Sequence, residues 1–242
     1  MNISSKSVLI TGANRGIGRA LVDEALRRGA RQVYAGTRGA FQHADPRVTA
    51  LRFDVTDLSQ IQRAAGQVGA LDVLINNAGL ALYDGLSDFD AVERQLAVNL
   101  LGVLKVTYAF LPLLKRAKGD VVNNVSLAAL APLPVVAGYS MSKAAAFNMT
   151  QSLRALLASQ GVAIHAALIG PTDTDMTRGF EIPKVSPEIT ARGIFDGLEN
   201  GEEEIFPDPA AQSVAQAWRT GIAKALERQF SAFVPQDTAQ AA

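Results

Sequence analysis

Seven short apolar or β-branched runs alternate with longer stretches of helical periodicity along almost the whole chain, and this alternation constrains the fold more than any other feature. The runs are Ser7–Thr11, Gln32–Gly36, Val48–Phe53, Val73–Asn76, Val121–Val125, Ala163–Ile169 and Glu204–Phe206. Most are near-continuously apolar, as expected of strands covered on both faces. Helical patterns fall between them at Ile17–Arg28, Leu58–Gln67, Phe89–Lys115, Tyr139–Ser159 and Pro187–Leu198. Such alternation gives one doubly wound α/β domain with a parallel sheet between helical layers. About half of the 242 residues are hydrophobic, enough for a large core. Only about ten residues separate Thr37 from Val48, near the lower limit for a parallel crossover. A loop or one helical turn is expected there.

One segment tests the soluble reading. Val121–Ser142 runs for 22 residues without a charge, the length of a membrane span. Asn123, Asn124, Pro132, Pro134 and Gly138 interrupt it, so it reads as a buried strand, a loop and a helix start. Lys+Arg and Asp+Glu balance at 23 each, which gives no electrostatic reason to expect nucleic acid or an acidic membrane as partner. The chain has no cysteine, so disulfides and thiolate zinc sites are excluded. The apolar run near the N-terminus is too short for a signal peptide, and the expected location is cytoplasmic. His43 and His165 are the only histidines and lie far apart in sequence. No metal site is expected, and His165 reads as a strand residue in or near the core.

The stretch "VLITGANRGIGRALVDEALRRGA", Val8 to Ala30, places Gly12, Gly16 and Gly18 where a strand turns into a helix. A helix N-terminus presents unpaired N–H groups and a positive dipole end, which suits phosphate. Glycine lets the chain turn tightly and lets phosphates approach the backbone. The spacing is G-x-x-x-G-x-G rather than the commoner G-x-G-x-x-G.

"TGANRGIG" (Thr11–Gly18) resembles the T-G-x-x-x-G-x-G motif of the short-chain dehydrogenase/reductase family, and "NNAG" (Asn76–Gly79) resembles that family's motif after the fourth strand. Asn99, Ser126, Tyr139 and Lys143 match its catalytic tetrad, with the last two in the Y-x-x-x-K of "YSMSK". The resemblance covers about Lys6 to Phe206. It implies a single-domain Rossmann fold over residues 1–208, with a seven-stranded parallel sheet in the order 3-2-1-4-5-6-7 and a substrate loop at about 172–187. Residues 209–242 are then a C-terminal helical extension.

Tyr139 and Lys143, four apart in a helical pattern, share one face. A cation beside a tyrosine favours phenolate, so Lys143 is expected to move Tyr139 toward working pH as an acid/base. By resemblance, Tyr139 gives a proton to a carbonyl oxygen that Ser126 also hydrogen-bonds, and Lys143 also holds the nicotinamide ribose. Asn99 interrupts its helix and holds a water that relays protons to Lys143. For the cofactor, the resemblance implies contacts from Gly12, Asn14, Arg15, Gly16, Ile17 and Gly18 in the glycine loop. It adds Asp54 and Val55 at the adenine, and Asn77, Ala78 and Gly79 along the riboses. "LIGPTDTDM" resembles the family's P-G-x-x-x-T segment with Ile169 in place of Pro, and contributes Gly170, Pro171, Thr172 and Thr174, the backbone near Thr172 holding the carboxamide. Dinucleotide sites often carry an acid about 20 residues past the loop. Here Arg38 stands at that place and no acid occurs from Val33 to Phe41. Arg38 and Arg15 together suit a 2′-phosphate, so NADP(H) is the expected cofactor. Asp57 reads as the better cap for the helix that follows Asp54.

Leu127, Leu130, Leu133, Val135, Val136, Met176, Phe180 and Ile182 lie near the tetrad in sequence or by resemblance, which implies a small, moderately apolar carbonyl or alcohol substrate. Two alternatives stay open. A 3-oxoacyl-thioester reductase of the same family would use Lys105, Lys115, Arg116 and Lys118 to receive an acyl carrier, and a redox sensor would bind NADPH without turnover. In the tail, Val214, Ala217, Trp218, Gly221, Ile222 and Ala225 fall at helical spacing, with Pro209 placed to start one helix and Pro235 beyond its end. Such a helix covers the sheet edge by which family tetramers pair. A homodimer through the helices of Asn99 and Lys143 is expected, with a tetramer as the alternative and Trp218 packed on its own subunit.

Overall fold

The computed structural model describes residues 1–83 and 86–234. Seven strands form one sheet: β1 (Ser7–Thr11), β2 (Gln32–Thr37), β3 (Val48–Arg52), β4 (Val73–Asn76), β5 (Asp120–Asn124), β6 (Ala163–Ala167) and β7 (Glu204–Ile205). Their order is β3-β2-β1-β4-β5-β6-β7, and every pairing is parallel. Successive residues of β1 go to opposite cores. Val8 and Ile10 pack under α1 (Gly16–Arg27) and α6 (Pro187–Glu199). Leu9 packs under α2 (Leu58–Ala65), α4 (Val103–Ala117) and α5 (Ala137–Ala158). This two-sided burial is why the strands read as continuous apolar runs.

The connection from Thr37 to Val48 contains no helix, as its length required. The uncharged stretch resolves into β5, a short 3-10 turn over Leu127–Ala129 and the start of α5. The long pattern from Phe89 is one continuous helical stretch with a change of pitch: α3 (Phe89–Leu96), a π turn over Ala97–Gly102, then α4. By length and composition the stretch Phe89–Ala117 could cross a membrane. It sets Val106, Phe110 and Leu114 into the core against the sheet instead. A ladder of buried amides ties these layers together. Asn76 Nδ2 donates to Thr107 Oγ1 on α4 (3.0 Å) and to Asn123 Oδ1 on β5 (2.9 Å), and Asn123 Nδ2 donates to Thr150 Oγ1 on α5 (2.9 Å). His165 lies in β6 between the Asp120 carboxylate (2.9 Å) and the Glu202 carbonyl (2.7 Å), within the packed interior as its strand position implied.

The tail departs from the expected single striped helix. Asp208 caps α7 (Pro209–Arg219), which ends at Thr220, and extended backbone at Gly221 starts α8 (Ile222–Phe230). Trp218 packs on Phe147 of its own chain with ring centroids 5.1 Å apart. The rest of the stripe is not packed on its own chain, since Val214, Ala217 and Ala225 are exposed and Ile222 is 79% exposed. What docks α8 is charge. Lys224, buried, donates to Glu203 (2.7 Å), Glu204 (3.1 Å) and Glu227 (3.0 Å), while Arg154 of α5 reaches Glu204 at 2.8 Å and also pairs with Glu227. The apolar stripe does not mark the face that docks, because a lysine among three carboxylates is one of the few that can be buried. These carboxylates are close enough to share a metal ion, but Lys224 and Arg154 already pair with them. Pro235 lies outside the described residues.

Candidate active site

The sheet order reverses between β1 and β4, and outside the carboxyl ends of those strands lies a cleft of about 1170 Å³. Strand-end crevices of this kind are where doubly wound sheets bind ligands. The cleft brings together every residue expected to bind cofactor, from Gly12, Asn14, Arg15, Gly16, Ile17 and Gly18 through Arg38, Asp54, Val55, Asn77, Ala78 and Gly79 to Gly170, Pro171, Thr172 and Thr174. Ser126, Tyr139 and Lys143 line it as well, and Asn99 is buried behind it.

The glycine loop is shaped for an anion. Gly12 and Gly16 have φ of +66° and +51°, a region costly for other residues. A Cβ on Gly18 would lie 2.0 Å from the Gly12 carbonyl oxygen, so helix and loop could not meet as they do. At the start of α1 no side chain caps the first turn and no acid stands in it. The free N–H groups and positive dipole end therefore face the cleft without a competing carboxylate.

The loop is fixed from the β4 side by contacts that motif reading passed over. Thr11 Oγ1 accepts from the N–H groups of Asn77 and Ala78 (both 3.0 Å), and Asn77 Nδ2 donates to the Thr11 carbonyl at 2.9 Å. Asn124 Nδ2 donates to Asn77 Oδ1 at 3.0 Å. The Asn77 side chain is thus a brace between loop and sheet, not a free ribose ligand. Asn124 Oδ1 is buried without a partner among the described residues, in a residue that lines the cleft.

Around the tetrad, Asn99 sits in the π turn, the kind of helix interruption found at functional sites. Its amide donates to the Leu80 carbonyl (2.7 Å) and Ser142 Oγ (2.9 Å), and its Oδ1 accepts from the Leu80 N–H (2.8 Å). The side chain therefore stitches the helix to the loop after β4. Lys143 Nζ donates to the Asn124 carbonyl at 2.7 Å and lies 5.7 Å from the Tyr139 ring centroid. Ser126 Oγ accepts from the Ala128 N–H at 3.1 Å and lines the cleft together with Tyr139. The direction of the Tyr139 shift differs from the expectation. Burial pushes Tyr139 up, with the nearby Ser126 hydroxyl pulling the other way, and burial lowers Lys143 to about 8. Both groups line the cleft, and desolvation penalises phenolate and ammonium alike.

The segment after β6 turns at Gly170, where a Cβ would come within 2.4 Å of the Asp208 carboxylate that accepts from the Gly170 N–H. With Ile169 in place of Pro, its carbonyl accepts from Leu127 N–H at 3.0 Å and carries the chain over the site. Thr172 bridges to Val185 across the base of the substrate loop. Its hydroxyl pairs with Thr190 (3.0 Å) and its carbonyl with the Thr177 hydroxyl (2.6 Å). Asp57 caps α2 through the Gln60 N–H, while Asp54 accepts from Thr56. The two arginines differ. Arg15 pairs with Asp175 of the substrate loop at 2.6 Å, whereas Arg38 is 79% exposed and only 3.8 Å from Asp54. Of the apolar set, Leu127, Leu133, Val136, Met176, Phe180 and Ile182 line the cleft. Leu130 packs instead beside Phe147 and Trp218, and Val135 faces solvent. Tyr83, Arg94 and Val98 also line it, and no motif marked them.

Comparison with known proteins agrees with this geometry. A family model described as short chain dehydrogenase matches residues 6–183. The 2-(S)-hydroxypropyl-CoM dehydrogenase 3 of Xanthobacter autotrophicus is 33% identical over 206 residues, 78% of this chain and 81% of that protein. The ketoacyl reductase HetN of a Nostoc species is 31% identical over 238 residues, 88% of this chain and 83% of its own. The crystal structure of a short chain dehydrogenase from Burkholderia cenocepacia in complex with NADP superposes with a TM-score of 0.87 at 36% identity, covering 97% of this chain and all of that one.

Proposed function

Because this chain belongs to the short-chain dehydrogenase family, we propose that it is an NADP(H)-dependent oxidoreductase interconverting a ketone or aldehyde and an alcohol, with Tyr139 as the acid/base. The observation that carries this reading is the convergence of Ser126, Tyr139 and buried Lys143 on the lining of the strand-end cleft, with Lys143 Nζ held by the Asn124 main-chain carbonyl. NADP(H), when bound, supplies or accepts the hydride. The uncapped start of α1 and the loop from Gly12 to Gly18 would hold its diphosphate, with Asn14 and Ile17 alongside. Arg38 would hold the 2′-phosphate, Asp54 and Val55 the adenine, Lys143 and Gly79 the nicotinamide ribose, and the Gly170–Thr174 segment the carboxamide. The glycine cradle fits an anionic group, and the buried Asn124 Oδ1, unpartnered among the described residues, fits a hydrogen-bond donor of the guest.

The protein's own part is acid–base chemistry and alignment. Ser126 donates to the carbonyl oxygen and orients it. Tyr139, kept protonated by burial, delivers a proton to that oxygen as negative charge develops on it. Lys143 restores the Tyr139 proton. The Asn99 amide holds the Leu80 loop in place, so any proton relay past Asn99 uses its main chain. Of the residues that could receive an acyl carrier, Lys115, Arg116 and Lys118 stand at the C-terminal end of α4. That end lies at the amino edge of the sheet, away from the cleft, and Lys105 is bonded to the Thr56 carbonyl. The geometry therefore favours a small free substrate over a carrier-bound one. A screen of ketones and aldehydes with NADPH and NADH tests the function. We expect steady NADPH oxidation with apolar ketones, and NADPH binding with no turnover of any carbonyl compound would move the protein to the sensor class.

We place the enzyme in the cytoplasm as a homodimer formed through the helices that carry Asn99 and Lys143. Phe89, Leu101, Tyr108 and Met141 on these helices are exposed apolar side chains, and α8 is anchored beside β7 by Lys224. Light scattering is expected to give twice the 25.6 kDa of one chain. A tetramer persisting at low micromolar concentration would contradict the covered edge.

A further inference from the structure

The substrate end of the cleft is spanned by two aromatic rings. Tyr83 comes from the loop after β4, and Phe180 comes from the loop that follows β6, 97 residues later in sequence. Their ring centroids are 5.6 Å apart and their planes differ by 14°. Both residues line the cleft that holds Tyr139 and Ser126. This contact is not part of a packed core. Tyr83 is 67% exposed, Phe180 is only half-buried, and neither belongs to a buried apolar cluster of the protein. Two large rings held face to face in solvent, on opposite walls of a site, make a roof and not a foundation.

The backbone beside Phe180 is suited to opening it. Gly179 has φ of +88° and open space around its Cα, so a side chain there would be strained by conformation and not by crowding. The loop is tied down on both sides of this point, by the Thr172–Val185 bridge and by Lys184 Nζ on the Thr177 carbonyl (2.8 Å). Phe180 therefore swings on a short tethered segment and not on a free strand of chain. Rings only 5.6 Å apart leave no room for a third ring between them, so an aryl group that stacks between them has to part the two. When they part, each ring loses one stacked face.

Besides Tyr139 and Ser126 at the reacting end and Arg94, that chamber is lined by Leu133, Val136, Met176 and Ile182, which offer contact but no π-face. A saturated substrate would leave the vacated ring face with an ordinary apolar contact. An aryl substrate would replace the stacked partner in kind, and stacked aromatic pairs are favoured beyond the area they bury.

From this, and resting on the oxidoreductase reading above, we infer that Tyr83 and Phe180 form an aromatic gate that selects carbonyl compounds bearing a planar aromatic ring next to the reacting carbon. The gate acts on specificity, since neither ring lies among the proton-transfer groups.

The test compares acetophenone with cyclohexyl methyl ketone, which match in heavy-atom number and differ in having a ring π-face. The ratio of their kcat/KM values is measured for the unmodified enzyme and for Tyr83→Leu, Phe180→Leu and Tyr83→Phe. Intrinsic differences in ketone reactivity cancel when the ratios are compared between variants. We expect the aryl preference to fall about fivefold in each leucine variant and to survive in Tyr83→Phe, which keeps the ring. An unchanged ratio in both leucine variants would overturn the gate. Calorimetric binding of 1-phenylethanol and 1-cyclohexylethanol to the protein saturated with NADP⁺ reads the same preference without turnover. Absence of turnover with every ketone would thus sink the oxidoreductase reading, while equal binding of the two alcohols to the unmodified protein would sink the gate. NADP⁺ affinity and melting temperature of each variant, expected to stay at the unmodified values, show that the leucine variants remain folded.

Discussion

Replacing Tyr139 with phenylalanine lowers kcat for carbonyl reduction by about a thousandfold, the middle of the range for a positioned general acid, and leaves NADPH affinity almost unchanged. The substitution removes one oxygen. The ring still stands on α5, Ser126 still offers its hydroxyl, and Lys143 keeps its bond to the Asn124 carbonyl. What goes is the proton delivered to the substrate oxygen. The direction of the shifts gives this prediction a pH signature. Burial raises Tyr139, so through neutral pH the group is a protonated acid, as reduction needs. Lys143, lowered by burial to about 8, is a cation below that pH and loses its charge as pH rises through it. Reduction by the unmodified enzyme should therefore be fastest below about pH 8 and decline above it, and Tyr139→Phe should flatten that decline. The rate is read in single turnovers, where hydride transfer and not product release is observed. Retention of more than about a tenth of the rate would remove Tyr139 from the role of proton donor.

Much of this protein is legible in its sequence because the informative features are local. Strand, glycine loop and helix follow one another within Val8–Ala30, and Tyr139 and Lys143 share a helix face by spacing alone. The absent helix between Thr37 and Val48 follows from the few residues available. What could not be read depends on contacts between distant segments. Nothing near Asn77 indicates that its amide would brace Thr11 and be braced by Asn124, because three strand ends must first converge. Tyr83 and Phe180 look like ordinary loop aromatics until the two loops meet. The rise in Tyr139 is of the same kind. Spacing places a lysine beside the tyrosine, but only the packed structure shows that burial is the larger influence on Tyr139. In the tail, an apolar stripe suggested one docked helix, whereas the chain breaks at Gly221 and docks α8 through Lys224. Periodicity sees apolar faces and is blind to a buried cation whose three carboxylates lie on other elements and on its own next turn.

If Arg38 reads the 2′-phosphate as proposed, Arg38→Asp is expected to move the NADPH:NADH ratio of kcat/KM by at least about a hundredfold toward NADH. The estimate has two parts. A hydrogen bond from a charged donor to phosphate contributes about 1.5–3 kcal/mol, which is roughly tenfold or more in affinity. An aspartate there repels the 2′-phosphate and offers the ribose hydroxyls the acceptor that NAD sites use, adding a comparable factor. Arg38 is free to do this. It is mostly solvent-exposed, and its nearest carboxylate, Asp54, is 3.8 Å away, an exposed pair worth little. Arg15 is not equivalent, since its guanidinium is bonded to Asp175 at 2.6 Å and would have to leave the substrate loop to reach a phosphate. Arg15→Ala should therefore change the cofactor ratio less than Arg38→Ala does. Its larger effect should fall on the KM of the carbonyl substrate, because Asp175 then loses its tether to the glycine loop. Steady-state kinetics with both dinucleotides at saturating ketone, run on the three variants, separates these roles. Equal use of NADPH and NADH by the unmodified protein would show that neither arginine reads the phosphate, and a larger ratio change in Arg15→Ala than in Arg38→Ala would exchange their assignments.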